Sequence, residues 1–224
     1  MEEKCMKEKV MKEKLKYLED GSLGDLLIVI DMQNVYLENQ PWGCRDTMGA
    51  WKRIKKLIDT KAVDNVIFTQ YLPPKDPIGT WKTYNEENRE INDNPWMSEL
   101  IEEVKPYAEQ YPVFSKDKYS SYTNEEVRRL AGQAGRVLLA GVVAECCVLF
   151  TMLSGIDAGD KMVYLTDACT GLDQEKEDMV EQLARYYQPM HTQVMTCEEY
   201  VTEHIRFLYK GIIINHNKNR ANLH

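Results

Sequence analysis

Three side chains with complementary chemistry stand at the ends of short apolar runs: a carboxylate at Asp31, an ammonium at Lys116 and a thiol at Cys147. The thiolate form of Cys147 would attack a carbonyl carbon. Asp31 would accept the thiol proton and return it to a leaving amine. Lys116 would favour both ionised partners and lower the thiol pKa. The N–H groups of Ala144 and Cys147 lie where a helix is expected to start, with backbone donors unpaired. They are the expected oxyanion donors, at about 3 kcal/mol per donor. The cycle would run through a thioester acyl-enzyme that water hydrolyses. Each residue also has a plainer reading. Cys147 could be a small core residue, Asp31 a turn cap and Lys116 a solvated cation.

The elements that must position these groups are legible as strands alternating with helices. Leu26–Ile30 is a continuous apolar run ending at Asp31, as in a central parallel strand covered on both faces. Val66–Thr69, Val113–Lys116, Val137–Ala140, Lys161–Thr166 and Gln193–Thr196 supply five more strands. Between them, helical spacing appears over Met48–Thr60, Asn124–Ala134, from Glu145 onward, over Gln174–Tyr187 and over Glu198–Leu208. The alternation implies βαβ units and a three-layer α/β/α Rossmann-like fold with a six-stranded parallel sheet. In such sheets ligands bind beyond the C-terminal strand ends, where strand order reverses. Three reactive residues at three strand ends therefore favour the functional reading.

Residues 71–111 interrupt the alternation with Pro73, Pro74, Pro77 and Pro95 and with Trp81, Tyr84 and Trp96. Asn94-Pro95 reads as a helix start continuing through Leu100 and Val104. A loop of this length in a compact domain is either a functional segment or a solvated excursion with its aromatics tucked onto the core. Gln33, Tyr36, Trp81, Tyr119 and Tyr122 are the candidate substrate contacts, suggesting a small, partly apolar pocket.

Bulk properties narrow the partners. The formal net charge of −8 argues against nucleic acid. No apolar run approaches a membrane span, and the N-terminus lacks the apolar core of a signal peptide. Six cysteines without a C-x-x-C pair suggest neither a disulfide framework nor structural zinc, and point to a reducing cytoplasm. Residues 2–20 read as a weakly amphipathic charged helix, a solvated face or a subunit contact.

The motifs together resemble the isochorismatase-like cysteine hydrolases, which include nicotinamidases, N-carbamoylsarcosine amidase and isochorismatase. Leu27-Ile28-Val29-Ile30-Asp31-Met32-Gln33-Asn34 is similar to that family's opening strand and aspartate. Lys116-Asp117-Lys118-Tyr119-Ser120-Ser121-Tyr122 resembles its lysine segment, and Gly141-Val142-Val143-Ala144-Glu145-Cys146-Cys147-Val148 its nucleophile loop. The resemblance covers about residues 24–200. It implies an Asp31–Lys116–Cys147 triad and a non-proline cis peptide at Val143–Ala144. Ala144 stands where the family usually has threonine. The histidines of the nicotinamidase metal site have no counterpart after the second strand, since the four here are His191, His204, His216 and His224. The expected protein is thus a cytoplasmic, cofactor- and metal-independent homo-oligomer, a dimer or tetramer, acting on a small molecule. It would cleave a C–N bond in an amide, ureide or carbamoyl compound. The rivals are isochorismatase-type vinyl-ether hydrolysis through Asp31, and a non-catalytic binding or assembly module. The expected organisation is a helical extension over 1–22, the hydrolase domain over 23–210 and a tail over 211–224, with Ile212–Ile214 as a candidate subunit contact.

Overall fold

The computed structural model describes residues 14–205. Most of the expected N-terminal helix and the 211–224 tail lie outside the described residues.

Six parallel strands form one sheet: β1 (Asp25–Ile30), β2 (Asn65–Tyr71), β3 (Val113–Lys116), β4 (Arg136–Gly141), β5 (Met162–Cys169) and β6 (Thr192–Met195). Their order is β3-β2-β1-β4-β5-β6, so strand order reverses between β1 and β4. Every residue of β1 is buried, as a central strand requires.

Helices cover both faces. The eight described between strands are α1 (Thr47–Asp59), α2 (Trp81–Glu87), α3 (Arg89–Asn92), α4 (Pro95–Ser98), α5 (Lys105–Gln110), α6 (Glu125–Ala131), α7 (Leu149–Ala158) and α8 (Gln174–Tyr186). A further helix occupies 197–205. On one face, Leu27 and Val29 of β1 share a core with Trp51, Ile54 and Leu57 of α1, Tyr107 of α5 and Tyr200. On the other, Leu26, Ile28 and Ile30 pack with Val127 and Leu130 of α6, Met152 of α7 and Val180 of α8. The two-residue period of a strand assigns alternate side chains to each core.

Two expected elements are revised. The described part of the N-terminal extension, 14–22, is a turn and extended chain rather than a helix. The Asn65 amide captures both backbone groups of Lys16, at 2.7 and 2.8 Å, and Leu15 is buried. Those backbone groups are then unavailable to a helix. The helix expected from Pro95 through Val104 stops at Ser98, because Leu100 leaves it to form an isolated bridge with Gln33. α5 starts afresh at Lys105.

Candidate active site

Asp31 is the first residue past β1 and takes a left-handed backbone, φ 52°. Its N–H donates to the Thr69 carbonyl at 3.2 Å, and the Thr69 hydroxyl donates to Asp31 Oδ1 at 2.8 Å. Lys116 closes β3, two strands from β1, which is roughly 9–10 Å across a sheet. Its long side chain crosses that gap beneath cover. Lys116 Nζ lies 2.6 Å from Asp31 Oδ2 and 3.4 Å from Cys147 Sγ, and donates to the Lys118 carbonyl at 3.0 Å. Both side chains of the Asp31–Lys116 pair are fully buried. The pair is electrostatic rather than well aligned: Asp31 Oδ2 accepts no properly directed hydrogen bond.

Cys147 enters from β4. That strand ends at Gly141, whose φ of 119° suits only glycine, and a Cβ there would collide with the Ile30 backbone. The chain then reverses into a single π-helical turn, Ala144–Val148, which α7 continues. The expected helix start is therefore wider than an α-turn, a form that often accompanies functional sites. The turn is tied on two sides. The Thr151 hydroxyl donates to the Cys147 carbonyl at 2.6 Å and accepts from the Ser121 N–H at 2.9 Å, linking it to the loop after β3. On the other side, the Ala144 N–H donates to the Thr170 carbonyl at 2.9 Å, and the Thr170 hydroxyl donates to Glu177 at 2.7 Å.

That anchoring corrects one expected role. The Ala144 N–H is spent on Thr170 and does not face the thiol as a free donor. The neighbouring Val143 N–H has no acceptor among the described residues. The non-proline cis peptide also falls one bond earlier than expected, at Val142–Val143. Val142 still donates to the Ile30 carbonyl and Ala144 already belongs to the π-turn, so the reversal lies between them.

Burial pushes the Cys147 thiol well up, against the lowering effect of Lys116, while the Asp31 charge pushes it further up. Lys116 lowers the thiol pKa as expected, but burial acts more strongly and the net direction is upward. For Lys116, burial works to lower the pKa, but the charges of Asp31 and Cys147 outweigh it and hold the ammonium form. The adjacent Cys146 is only half-buried, and burial and Glu145 raise its thiol to about 11.

A cluster of aromatic rings reaches the site through Tyr71, whose ring centroid lies 5.6 Å from Lys116 Nζ. Burial raises the phenols of Tyr36, Tyr71, Tyr84 and Tyr119, and the Cys147 charge contributes to each. Trp42 lies 5.9 Å from Tyr36 and 6.2 Å from both Tyr71 and Tyr84, between ring centroids. Trp81 packs edgewise on Tyr119 at 5.0 Å. Tyr36 and Tyr119 belong to this cluster of rings, and Trp81 joins it through Tyr119. Tyr122 and Gln33 do not. The Tyr122 hydroxyl donates to Asp160 at 2.7 Å, and its ring lies in the core under α6 and α7, near Met162 at the N-terminal end of β5. Gln33 spends its amide on backbone: Nε2 donates to the carbonyls of Tyr71 and Ser98, and Oε1 accepts from the Tyr71 N–H. It clamps the end of β2 and is 1% exposed. Thr69, Tyr71, Trp42, Tyr84 and Val143 were missed. The C-terminal end of β2 held the signal for the first two, since the strand-end rule applies there equally. Among the described residues, no three His, Cys, Asp or Glu side chains converge as a ligand set.

A parallel sheet with a thiol, an ammonium and a carboxylate at its switch point defines the class of site. The isochorismatase domain family matches residues 25–199. The chain belongs to this isochorismatase domain family, a family of hydrolases. A curated relative, isochorismatase family protein 2B of Dictyostelium discoideum, is 34% identical over 86 residues, 34% of this chain and 39% of the relative. The matched stretch is thus well under half that relative's length. Among solved structures, a cysteine hydrolase from Pseudomonas syringae pv. phaseolicola superposes with TM-score 0.69 at 19% identity, over 81% of this chain and 92% of its own. An isochorismatase-like hydrolase from Alkaliphilus metalliredigens gives 0.65 at 19%, over 80% and 98%. N-carbamoylsarcosine amidase from Thermoplasma acidophilum gives 0.60 at 21%, over 78% and 96%. At these identities the likeness is one of fold.

Proposed function

We propose that this protein is a cysteine hydrolase that cleaves a C–N bond of a small amide, ureide or carbamoyl compound. The carrying observation is the buried contact of Lys116 Nζ with both Asp31 Oδ2 and Cys147 Sγ. Burial disfavours the thiolate and Lys116 opposes that effect. As the thiol attacks the carbonyl, its proton passes to Asp31, whose Oδ2 has an unfilled acceptor position. Lys116 keeps its charge and stabilises the sulfur as it becomes anionic. The N–H of Val143, unpartnered among the described residues, and that of Cys147 hold the carbonyl oxygen of the tetrahedral intermediate. Collapse of that intermediate expels the amine, which takes the proton from Asp31. Water then cleaves the thioester, with Asp31 as its base.

The test is a screen of small amides, ureides and carbamoyl compounds for ammonia or amine release by the parent and by Cys147→Ala. Turnover by the parent is expected to fall at least about 10⁴-fold in the variant, as for removal of a nucleophile acting within a unit. Amide hydrolysis surviving in Cys147→Ala would contradict the role of Cys147 as nucleophile.

A further inference from the structure

Glu177 sits in the first turn of α8 and is 9% exposed, and both of its carboxylate oxygens are engaged. Oε1 accepts the Thr170 hydroxyl at 2.7 Å and the Gly171 N–H at 3.0 Å. Oε2 accepts Arg45 through Nε and Nη2, at 3.2 and 2.5 Å. The Arg45 backbone N–H also donates to the Gly171 carbonyl at 2.9 Å. A buried ion pair adds little net stability, because desolvation offsets its attraction. What this pair holds is one dipeptide, Thr170-Gly171, which lies against the turn that carries Cys147. Thr170 commits each of its polar groups. Its N–H donates to the Gly141 carbonyl at 3.1 Å, and its carbonyl accepts the Ala144 N–H at 2.9 Å. Its hydroxyl donates to Glu177 and accepts from the Asp46 N–H at 3.2 Å. Gly171 lies so close to the turn that a Cβ there would come within 2.2 Å of Glu145 Oε2.

We infer that Glu177 is a positioning residue for the nucleophile turn: acting through Thr170, it keeps the Ala144 N–H occupied and leaves the Val143 N–H as the oxyanion donor beside Cys147. The catalytic consequence rests on the amidase reading above. Val143 and Ala144 are consecutive, so the aim of one N–H is fixed by what holds the other. Oxyanion donors act only when aimed at the place where charge develops. A Thr170 carbonyl released from its frame would free the Ala144 N–H and let the π-helical turn shift as a unit. Glu177 itself touches neither the thiol nor the Asp31–Lys116 pair. Its effect therefore falls on the transition state and spares substrate binding.

The test uses Thr170→Val, which removes one hydroxyl at nearly constant shape and keeps the carbonyl, Thr170→Ser, which restores a hydroxyl, and Glu177→Ala. Amide hydrogen exchange is followed by NMR in protein carrying nitrogen-15 alanine, and this arm needs no substrate. Ala144 exchange is expected to quicken about ten-fold or more in Thr170→Val, while Ala140, inside the β4 ladder, exchanges as in the parent. On an amide found by the screen, kcat should fall about ten-fold with KM unchanged, as for an interaction made only in the transition state. Thr170→Ser should return both readouts to the parent values, and Glu177→Ala should reproduce both losses. Should Glu177→Ala fail to fold, Thr170→Val decides alone. Three results would overturn the inference: Ala144 exchange unchanged in Thr170→Val, Ala144 and Ala140 quickening together as in a general loosening of the domain, or quickened Ala144 exchange with kcat intact. Ammonia release from an amide surviving in Cys147→Ala would instead defeat the amidase reading and leave the exchange results standing.

Discussion

The two ends of β1 each carry a buried aspartate facing a cation, and the pairs are built differently. At the N-terminal end, Asp25 receives Arg136 through both carboxylate oxygens, at 3.1 and 2.6 Å, and the Tyr200 hydroxyl at 2.8 Å. Arg136 also reaches Glu203 and Gln193, at 2.7 and 3.1 Å. Both Asp25 oxygens are engaged, and the network pins the helix over 197–205 to the sheet. At the C-terminal end, Asp31 has one oxygen held by Thr69 and the other left without a directed hydrogen bond, 2.6 Å from Lys116. The planar fork of arginine fits a carboxylate at two points, whereas the ammonium of lysine is a point charge that can serve two partners. A saturated pair fixes structure. An unsaturated pair beside a thiol keeps capacity for a proton and for developing charge.

Exchanging the tests between the two ends should break the comparison if it is wrong. The largest effect is expected from Asp31→Asn, which removes the proton acceptor: turnover on a substrate found by the screen should fall about 10²–10⁴-fold. Asp25→Asn should leave turnover unchanged and lower stability by about 3 kcal/mol, read from urea midpoints. That is the low end for a broken buried pair, since Glu203 still faces Arg136. If Asp25→Asn lost turnover in parallel with Asp31→Asn, the division between structural and chemical ends would fail.

The smallest effect concerns a thiol with no cation against it. Burial holds the Cys169 thiol well above 9.0 in the folded chain. A raised folded pKa means that the unfolded chain loses its proton first. The contribution is therefore complete below about pH 9 and lost as pH rises toward the folded value. Cys169→Ala should flatten the alkaline fall in stability by about 1 kcal/mol between pH 8 and pH 10 in urea titrations at each pH. An identical pH slope in parent and variant would contradict it.

The sheet was legible because β1 and β4 are short apolar runs without turn residues, and a parallel strand covered on both faces must be such a run. Strand ends then located Asp31, Lys116 and Cys147 without knowledge of any packing. Donor geometry was not legible in the same way. Ala144 and Val143 are adjacent small apolar residues, and only the capture of one N–H by Thr170 separates them. Tyr122 follows Tyr119 by three residues, but the 3-10 turn Ser121–Thr123 lets its ring drop under α6 and α7. Gln33 follows Asp31 closely in sequence, yet its long amide turns back on β2. Such directions depend on contacts between distant segments, which hydrophobic periodicity does not encode. The proline and aromatic pattern of 71–111 predicts one loop and one helix. The segment contains four short helices, with Trp81, Tyr84 and Asn92 carried on the first two.

The most direct measurement of the open pair at Asp31 is the rate of Cys147 alkylation by iodoacetamide at pH 8, followed by peptide mass spectrometry. It is made in the parent, Lys116→Met, Asp31→Asn and Asp25→Asn. Lys116 lowers the thiol pKa and Asp31 raises it. Labelling should therefore slow in Lys116→Met and quicken in Asp31→Asn, even as Asp31→Asn loses turnover, and should not change in Asp25→Asn. Equal labelling in all four proteins would mean that neither charge reaches the sulfur, and the reading of Asp31, Lys116 and Cys147 as one chemical unit would be contradicted.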